Sequence, residues 1–198
     1  LKIALASGNL HKVSEFKALA LTTHTELTIV SAKSFGGMPE VVEDQGTFVG
    51  NGLKKALALR AIVPPDFWVL ADDSGLCVDY LKGLPGVESA YYAGPESDPK
   101  ANLAKLVKVM AAVPEVNRGA HFVCVLILIS PEGKQHIFEG QSKGHLLNEP
   151  IGGAGFGYDP LFVPEGYSLS FAQIAEAQKN TISHRARAWA KCAEFLRR

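Results

Sequence analysis

Two adjacent carboxylates, Asp72 and Asp73, follow the apolar run Val69-Leu70-Ala71 and precede Ser74-Gly75-Leu76. Carboxylates side by side at the end of a strand repel each other, and half-burying them is costly unless a cation relieves the charge. A hard ion such as Mg2+ would do so, because its sites are built from a few carboxylates, waters and phosphate oxygens. Glu43, in the acidic segment Val42-Glu43-Asp44, could add another oxygen. The competing reading is a solvated turn, since Asp-Ser-Gly also favours an Asx-type turn.

Three further segments carry residue types that could hold a ligand. Ser7-Gly8-Asn9-Leu10-His11-Lys12 joins an apolar strand to a helix. A helix start offers unpaired N–H groups and positive partial charge. Ser7 and Asn9 add donors and Lys12 adds a full charge one turn in, so the segment could cradle phosphates. Taken alone it reads more readily as a capped turn with a surface lysine, and it lacks the G-x-x-x-x-G-K-[ST] order of a Walker loop. The run from Gly152 to Pro160 carries four glycines by Gly157 and lacks the G-x-G-x-x-G order of a dinucleotide loop. Phe156 and Tyr158 offer planar faces for a base and Asp159 an acceptor; the alternative is a tight loop with its aromatics in the core. Near the end, Lys179 precedes Ser183-His184-Arg185, with Ser183 placed to cap a helix. Two cations in a first helical turn oppose the helix dipole, so they call for a partner such as a polar ligand, or else point to water.

The elements that must position these residues follow from the apolar pattern. Strands are expected at Lys2–Ala6, Glu26–Ser31, Phe67–Ala71 and Leu76–Tyr80, then a long pair at 120–129 and 135–144 joined by Pro131-Glu132-Gly133. Helices are expected after Asn9 (Val13, Phe16 and Ala20 on one face), from Thr47 towards Val63 before Pro64-Pro65, after Asp98, and from Ser183 to Leu196. Strands alternating with helices, then a hairpin, point to an α/β fold with a mixed sheet and flanking helices. No linker-like stretch interrupts the 198 residues, so a single domain is expected over 1–198. Lys plus Arg and Asp plus Glu number 20 each, which leaves no global field to hold nucleic acid. The longest apolar run, 122–129, is too short for a bilayer. Three cysteines without C-x-x-C spacing argue against zinc and for reduced thiols. With no leader-like run ahead of the first strand, the expectation is a cytoplasmic protein.

Taken in order, these segments resemble the inosine triphosphate pyrophosphatase family, whose bacterial members are XTP/dITP diphosphatases. The resemblance rests on S-G-N-x-x-K at Ser7, A-D-D-S-G-L at Ala71 with G-L-P-G-V-x-S-A at Gly83, G-F-G-Y-D-P at Gly155 and I-S-H-R at Ile182. Glu139-Gly140 and Pro150 also fit, and the likeness covers nearly the whole chain. It implies Mg2+-assisted hydrolysis of ITP, dITP and XTP to the monophosphate and pyrophosphate, which keeps these nucleotides out of DNA and RNA. Ser7, Gly8, Asn9, Leu10, His11 and Lys12 would hold the triphosphate. Glu43 and Asp73 would bind Mg2+, with Asp72 a further candidate, and Asp73 would take the proton of the attacking water. Ser74 would touch substrate. Phe156, Gly157, Tyr158 and Asp159 would frame the nucleoside, while Lys179, His184 and Arg185 read the base. The resemblance also implies two lobes around a central cleft and a homodimer. The chain departs from the family at Gly50, where glutamate is usual, and at Tyr91, where arginine is usual. Two other functions use similar parts: a nucleotide sensor without turnover, and a metal-dependent phosphomonoesterase.

Overall fold

The protein is described here by a computed structural model covering residues 1–23 and 26–198. Among these residues lie the strands β1 (Lys2–Ala6), β2 (Thr28–Ser31), β3 (Trp68–Val78), β4 (Gly119–Ile129), β5 (Gln135–Leu146) and β6 (Phe162–Pro164). The helices are α1 (Leu10–Thr23), α2 (Phe48–Arg60), α3 (Pro99–Met110), α4 (Glu176–Ile182) and α5 (His184–Leu196). The strands form one sheet in the order β2-β1-β3-β4-β5-β6. β1 is parallel to both neighbours, with Ile3 opposite Ile29 and Trp68. β5 and β6 are antiparallel, with His145 opposite Val163. The sheet is therefore mixed, as the order of elements in the sequence predicts.

Two expectations are corrected. A single strand, β3, runs without a break through Asp72, Asp73, Ser74 and Gly75, where the sequence suggests a strand end, a turn and a second strand. Pairing between β1 and β4 and near-complete burial override the local turn preference of Asp-Ser-Gly. The second correction is α4, which carries Lys179 and follows no apolar period that would have announced it.

The chain divides into two compact units. The first comprises Leu1–Asp73, Cys124–Gly140 and Arg185–Arg198, and the second Ser74–Val123 and Gln141–His184. In the first unit, α1 turns Val13, Phe16, Leu19 and Ala20 inward, and α5 turns Trp189, Cys192 and Ala193 inward. This is the i, i+3, i+4 spacing of a helix with one buried stripe. Phe16 and Trp189 meet edge to face at 5.9 Å, over Leu5, Leu70 and Leu126. Asn9 caps α1: its Oδ1 accepts from the N–H groups of His11 (2.9 Å) and Lys12 (3.3 Å). Thr47 caps α2 by accepting from Gly50 N at 3.0 Å. The inner face of α2 carries Asn51, Gly52, Ala56 and Leu59. A Cβ on Gly52 would lie 3.0 Å from Ile127 and 3.7 Å from Asp73, so the glycine lets α2 lie directly on β3 and β4.

The second unit packs Leu106 and Met110 of α3 with Leu76, Phe122, Leu146, Phe162 and Phe171. Asp98 caps α3 by accepting from Lys100 N at 2.9 Å. Arg118 is buried, and its guanidinium donates to the carbonyls of Met110, Val113, Leu146 and Leu147. It thereby ties the end of α3 to the end of β5. Among the described residues, no helix is long and apolar enough to cross a membrane.

Candidate active site

Continuity of β3 decides how the two aspartates are used. Neighbours on a strand project to opposite faces, so Asp72 and Asp73 do not share one solvent-facing turn. Asp72 lies on the face that carries Leu70, towards α1 and α5, and Asp73 lies on the face covered by α2. Asp72 pairs with two cations and Asp73 with a third. This explains how adjacent carboxylates can both be buried, at 2% and 6% exposure.

On the first face, Asp72 Oδ1 accepts from Lys12 Nζ at 2.5 Å and Oδ2 accepts from Arg185 Nε at 2.9 Å. Arg185 also pairs with Glu15 through Nη1. Cys124 Sγ lies 3.3 Å from Asp72 Oδ2. Burial alone would raise the pKa of Asp72, but Arg185 and Lys12 outweigh it and hold the carboxyl well below its usual range. Arg185 therefore finds carboxylate partners inside the first unit, which answers the unfavourable helix dipole at the start of α5. The reading in which it points to water does not hold, while Arg187, two residues on, is exposed.

On the other face, Lys55 Nζ donates to Asp73 Oδ1 at 2.6 Å and lies 3.3 Å from Glu43 Oε2. Asp73 Oδ2 is buried and has no hydrogen-bond partner among the described residues. Burial, only partly offset by Lys55 and Lys12 and reinforced by Glu43, raises Asp73 from 3.8 to about 6. Burial lowers the Lys55 pKa, but Asp73 and Glu43 prevail and raise it. An orphaned carboxylate oxygen beside a second carboxylate fits a hard cation. No group of three or more His, Cys, Asp or Glu poised to hold an ion is present among the described residues. The donor set is thus two carboxylates that need further oxygens, which suits Mg2+ completed by water and phosphate, not a structural zinc.

The N-terminal segment is less open as a cradle than the sequence suggests. Ser7 is buried and its Oγ accepts from Asn9 N at 3.1 Å, and Asn9 already caps His11 and Lys12. Gly8, Asn9, Leu10 and His11 are exposed. Gly50 has a local explanation: a Cβ there would sit 2.5 Å from Gln45 Cβ and 2.9 Å from Thr47 Oγ1, so a side chain would displace Gln45. Tyr91 is exposed, and nothing in the structure explains its presence.

The second unit gathers another set. Lys179 Nζ donates to Asp159 Oδ2 at 2.7 Å, and Asp159 Oδ2 also accepts from Phe156 N at 2.9 Å. Lys179 lies over the rings of Phe156 (5.7 Å) and Phe171 (5.5 Å). Gly155 has φ +74, and a Cβ on it would collide with Asp159 Oδ2, so glycine is required there on both counts. Phe156 and Gly157 are half-buried. Tyr158 is buried in the core and donates to Ser89 O at 2.7 Å, anchoring the loop from beneath. The His184 ring is buried and stacks on Phe122 at 4.7 Å and 12°. Ser74 is half-buried on β3.

Lys55, Glu15 and Cys124 escape the sequence reading. Lys55 carried a signal: it lies four residues after Asn51 and four before Leu59, on the buried face of α2. A lysine on a helix's apolar face needs a carboxylate partner.

Comparison with known proteins agrees with this geometry. A protein named dITP/XTP pyrophosphatase from Opitutus terrae is 58% identical over a 202-residue alignment that covers all of both chains. The solved HAM1 protein from Coxiella burnetii superposes with a TM-score of 0.86 at 32% identity, covering 99% of this chain and 98% of that one. A structure from Mycobacterium abscessus, described as a nucleoside-triphosphatase or dITP/XTP pyrophosphatase, gives 0.75 at 37% identity, covering 97% and 98%. The model of the Ham1 family matches residues 3–195. With that match and a relative this similar along its whole length, the chain belongs to the Ham1 family.

Proposed function

We propose that this chain hydrolyses non-canonical purine nucleoside triphosphates (dITP, XTP and ITP) to the monophosphate and pyrophosphate, keeping them out of DNA and RNA. The observation that carries this reading is Asp73: a buried carboxylate on a rigid strand, with one oxygen orphaned and its pKa raised to about 6. Perturbation of this kind, by burial beside a second acid, is how general bases are tuned to neutral pH. The name of the Opitutus relative supports the substrate class.

Glu43 and Asp73 would hold Mg2+. When bound, the ion supplies charge neutralisation on the phosphoryl oxygens and lowers the barrier to water attack. Asp73 Oδ2 accepts the proton of the attacking water. Lys55 keeps Glu43 and Asp73 together in the absence of the ion. Lys12 and the start of α1 neutralise the departing pyrophosphate, Gly8 to His11 lie along it, and Ser74 contacts the substrate. Phosphoryl transfer asks little covalent chemistry of a protein, so this positioning and charge carry the catalysis.

For the base, Lys179, His184 and Arg185 supply donors, and Phe156, Gly157, Tyr158 and Asp159 frame the nucleoside. Hypoxanthine and xanthine present a 6-keto acceptor and adenine a 6-amino donor. A site of buried donors therefore rejects adenine by leaving its polar groups unpaired. The enzyme acts as a homodimer.

The test is a panel of nucleoside triphosphates with Mg2+ and a pyrophosphate-specific readout. Pyrophosphate from dITP and XTP, with little from ATP, supports the proposal. Orthophosphate would make the protein a phosphomonoesterase, and binding without turnover would make it a sensor.

A further inference from the structure

The Asp72 carboxylate has no part in the reaction as set out above, yet it is the most completely engaged side chain near it. Its side chain is fully buried. Oδ1 is taken by Lys12, and Oδ2 by Arg185 and Cys124. Arg185 is held in turn by Glu15, so two cations and two carboxylates are linked inside the first unit. A magnesium ligand must turn a lone pair towards the ion. Both Asp72 oxygens face cations of the protein instead, on the strand face opposite Asp73.

We propose that Asp72 is a positioning residue: it fixes Lys12 Nζ for the phosphate chain, is itself held by Arg185, and is not a ligand of the metal. The proposal rests on the reading of Lys12 as the pyrophosphate contact. A lysine is a point charge on a flexible four-carbon stem. Placed loosely, it would lower the general potential without holding a geometry. Tied at 2.5 Å to a carboxylate on a central strand, its ammonium is fixed relative to Asp73, the next residue on that strand.

The test is a double-mutant cycle of Asp72→Asn with Lys12→Ala. It is read as kcat for pyrophosphate release from dITP per folded molecule, with Mg2+ affinity measured separately by calorimetry without nucleotide. Wild-type release of pyrophosphate from dITP is the control on the functional reading itself. Asp72→Asn is expected to lower kcat about tenfold to a hundredfold with Lys12 present, the scale of a misplaced catalytic contact. With Lys12 already alanine, the further loss should stay within about twofold, because residues acting through one another are not additive. Mg2+ affinity should be unchanged. Equal losses in both backgrounds would make Asp72 merely structural, and Mg2+ binding weakened by about tenfold or more would make it a metal ligand; either result overturns the proposal. Should the asparagine variant not fold, Asp72→Glu keeps the charge, moves it by one methylene and carries the same expectations through the same cycle.

Discussion

Asp73→Asn is expected to abolish turnover and, in the metal-free protein, to raise stability. The second half follows from the buried carboxylate. Its pKa stands at about 6 in the folded chain against 3.8 ordinarily, with Lys55 already in contact. At 1.36 kcal/mol per pH unit, holding Asp73 ionised in the native state costs ~3 kcal/mol of stability. The sign is that of a raised carboxylate. Between pH 3.8 and about 6 the native state binds more protons than the unfolded state, so stability falls as pH rises through that window, and the deficit is complete above it. Asparagine mimics the protonated form. The variant should match the wild type near pH 4 and exceed it by ~3 kcal/mol at pH 8 in chelator. Saturating Mg2+ should shrink or reverse the difference, because the ion binds the wild-type native state. Urea titrations at pH 4 and pH 8, with chelator and with Mg2+, measure all of this. Pyrophosphate release from dITP should fall by about two to four orders of magnitude, the usual worth of a positioned base. A variant no more stable than wild type at pH 8 in chelator would refute the burial argument, and near-normal turnover in a folded variant would refute the assignment of the base.

Lys12→Ala should depress catalysis on ITP more than it weakens inhibition by IMP, because a lysine one turn into α1 meets the departing phosphates and not the α-phosphate. Equal losses would place it elsewhere. Arg185→Ala removes one of the two cations on the buried Asp72 carboxylate and the partner of Glu15, and should destabilise the fold by about 3–5 kcal/mol in urea titrations; a loss under about 1 kcal/mol would mean that the ion pair is dispensable. Gly155→Ala forces a side chain into positive φ and onto Asp159. It should cost about 1–2 kcal/mol of stability from the backbone alone and raise KM for ITP by displacing the Asp159–Lys179 pair. An unchanged KM would remove that loop from the nucleoside site.

Much of the fold was legible because its signals are local. Thr47, Asp98 and Pro131-Glu132-Gly133 mark a cap, a cap and a turn through chemistry that needs no tertiary context, and each stands where the sequence puts it. β3 departs from its local signal because Asp-Ser-Gly encodes a turn, and only its neighbours in the sheet force it to stay extended. α4 is silent in the sequence because a seven-residue helix with one large apolar side chain has no apolar period. At the site, residue types that bear chemistry could be named, but their partners could not. Lys55 and Asp73 are 18 residues apart and Glu15 and Arg185 are 170 apart. Such pairings depend on which strand face each side chain takes, and that in turn depends on β3 being unbroken.

The same parity bears on whether the protein turns substrate over or merely binds it. A nucleotide sensor needs donors for phosphate and a frame for a base, and Lys12, Phe156 and Lys179 would serve it. It gains nothing from Asp73. If the purpose of the acid were to hold Lys55 in place, an exposed carboxylate would do so without the burial that lifts the pKa to about 6. If the purpose were packing, an apolar residue under α2 would be more stable than an acid with an orphaned oxygen. Asp72 shows what the fold does with a buried aspartate that holds other side chains in place: both oxygens are satisfied and the pKa is held low. Asp73, its neighbour on the same strand, is left partly unsatisfied at a cost of ~3 kcal/mol. Such a cost, carried by a residue beside a second acid, is what a base awaiting a cation and a water requires. It is the reason to expect pyrophosphate, and not bound nucleotide alone, when the protein meets dITP in the presence of Mg2+.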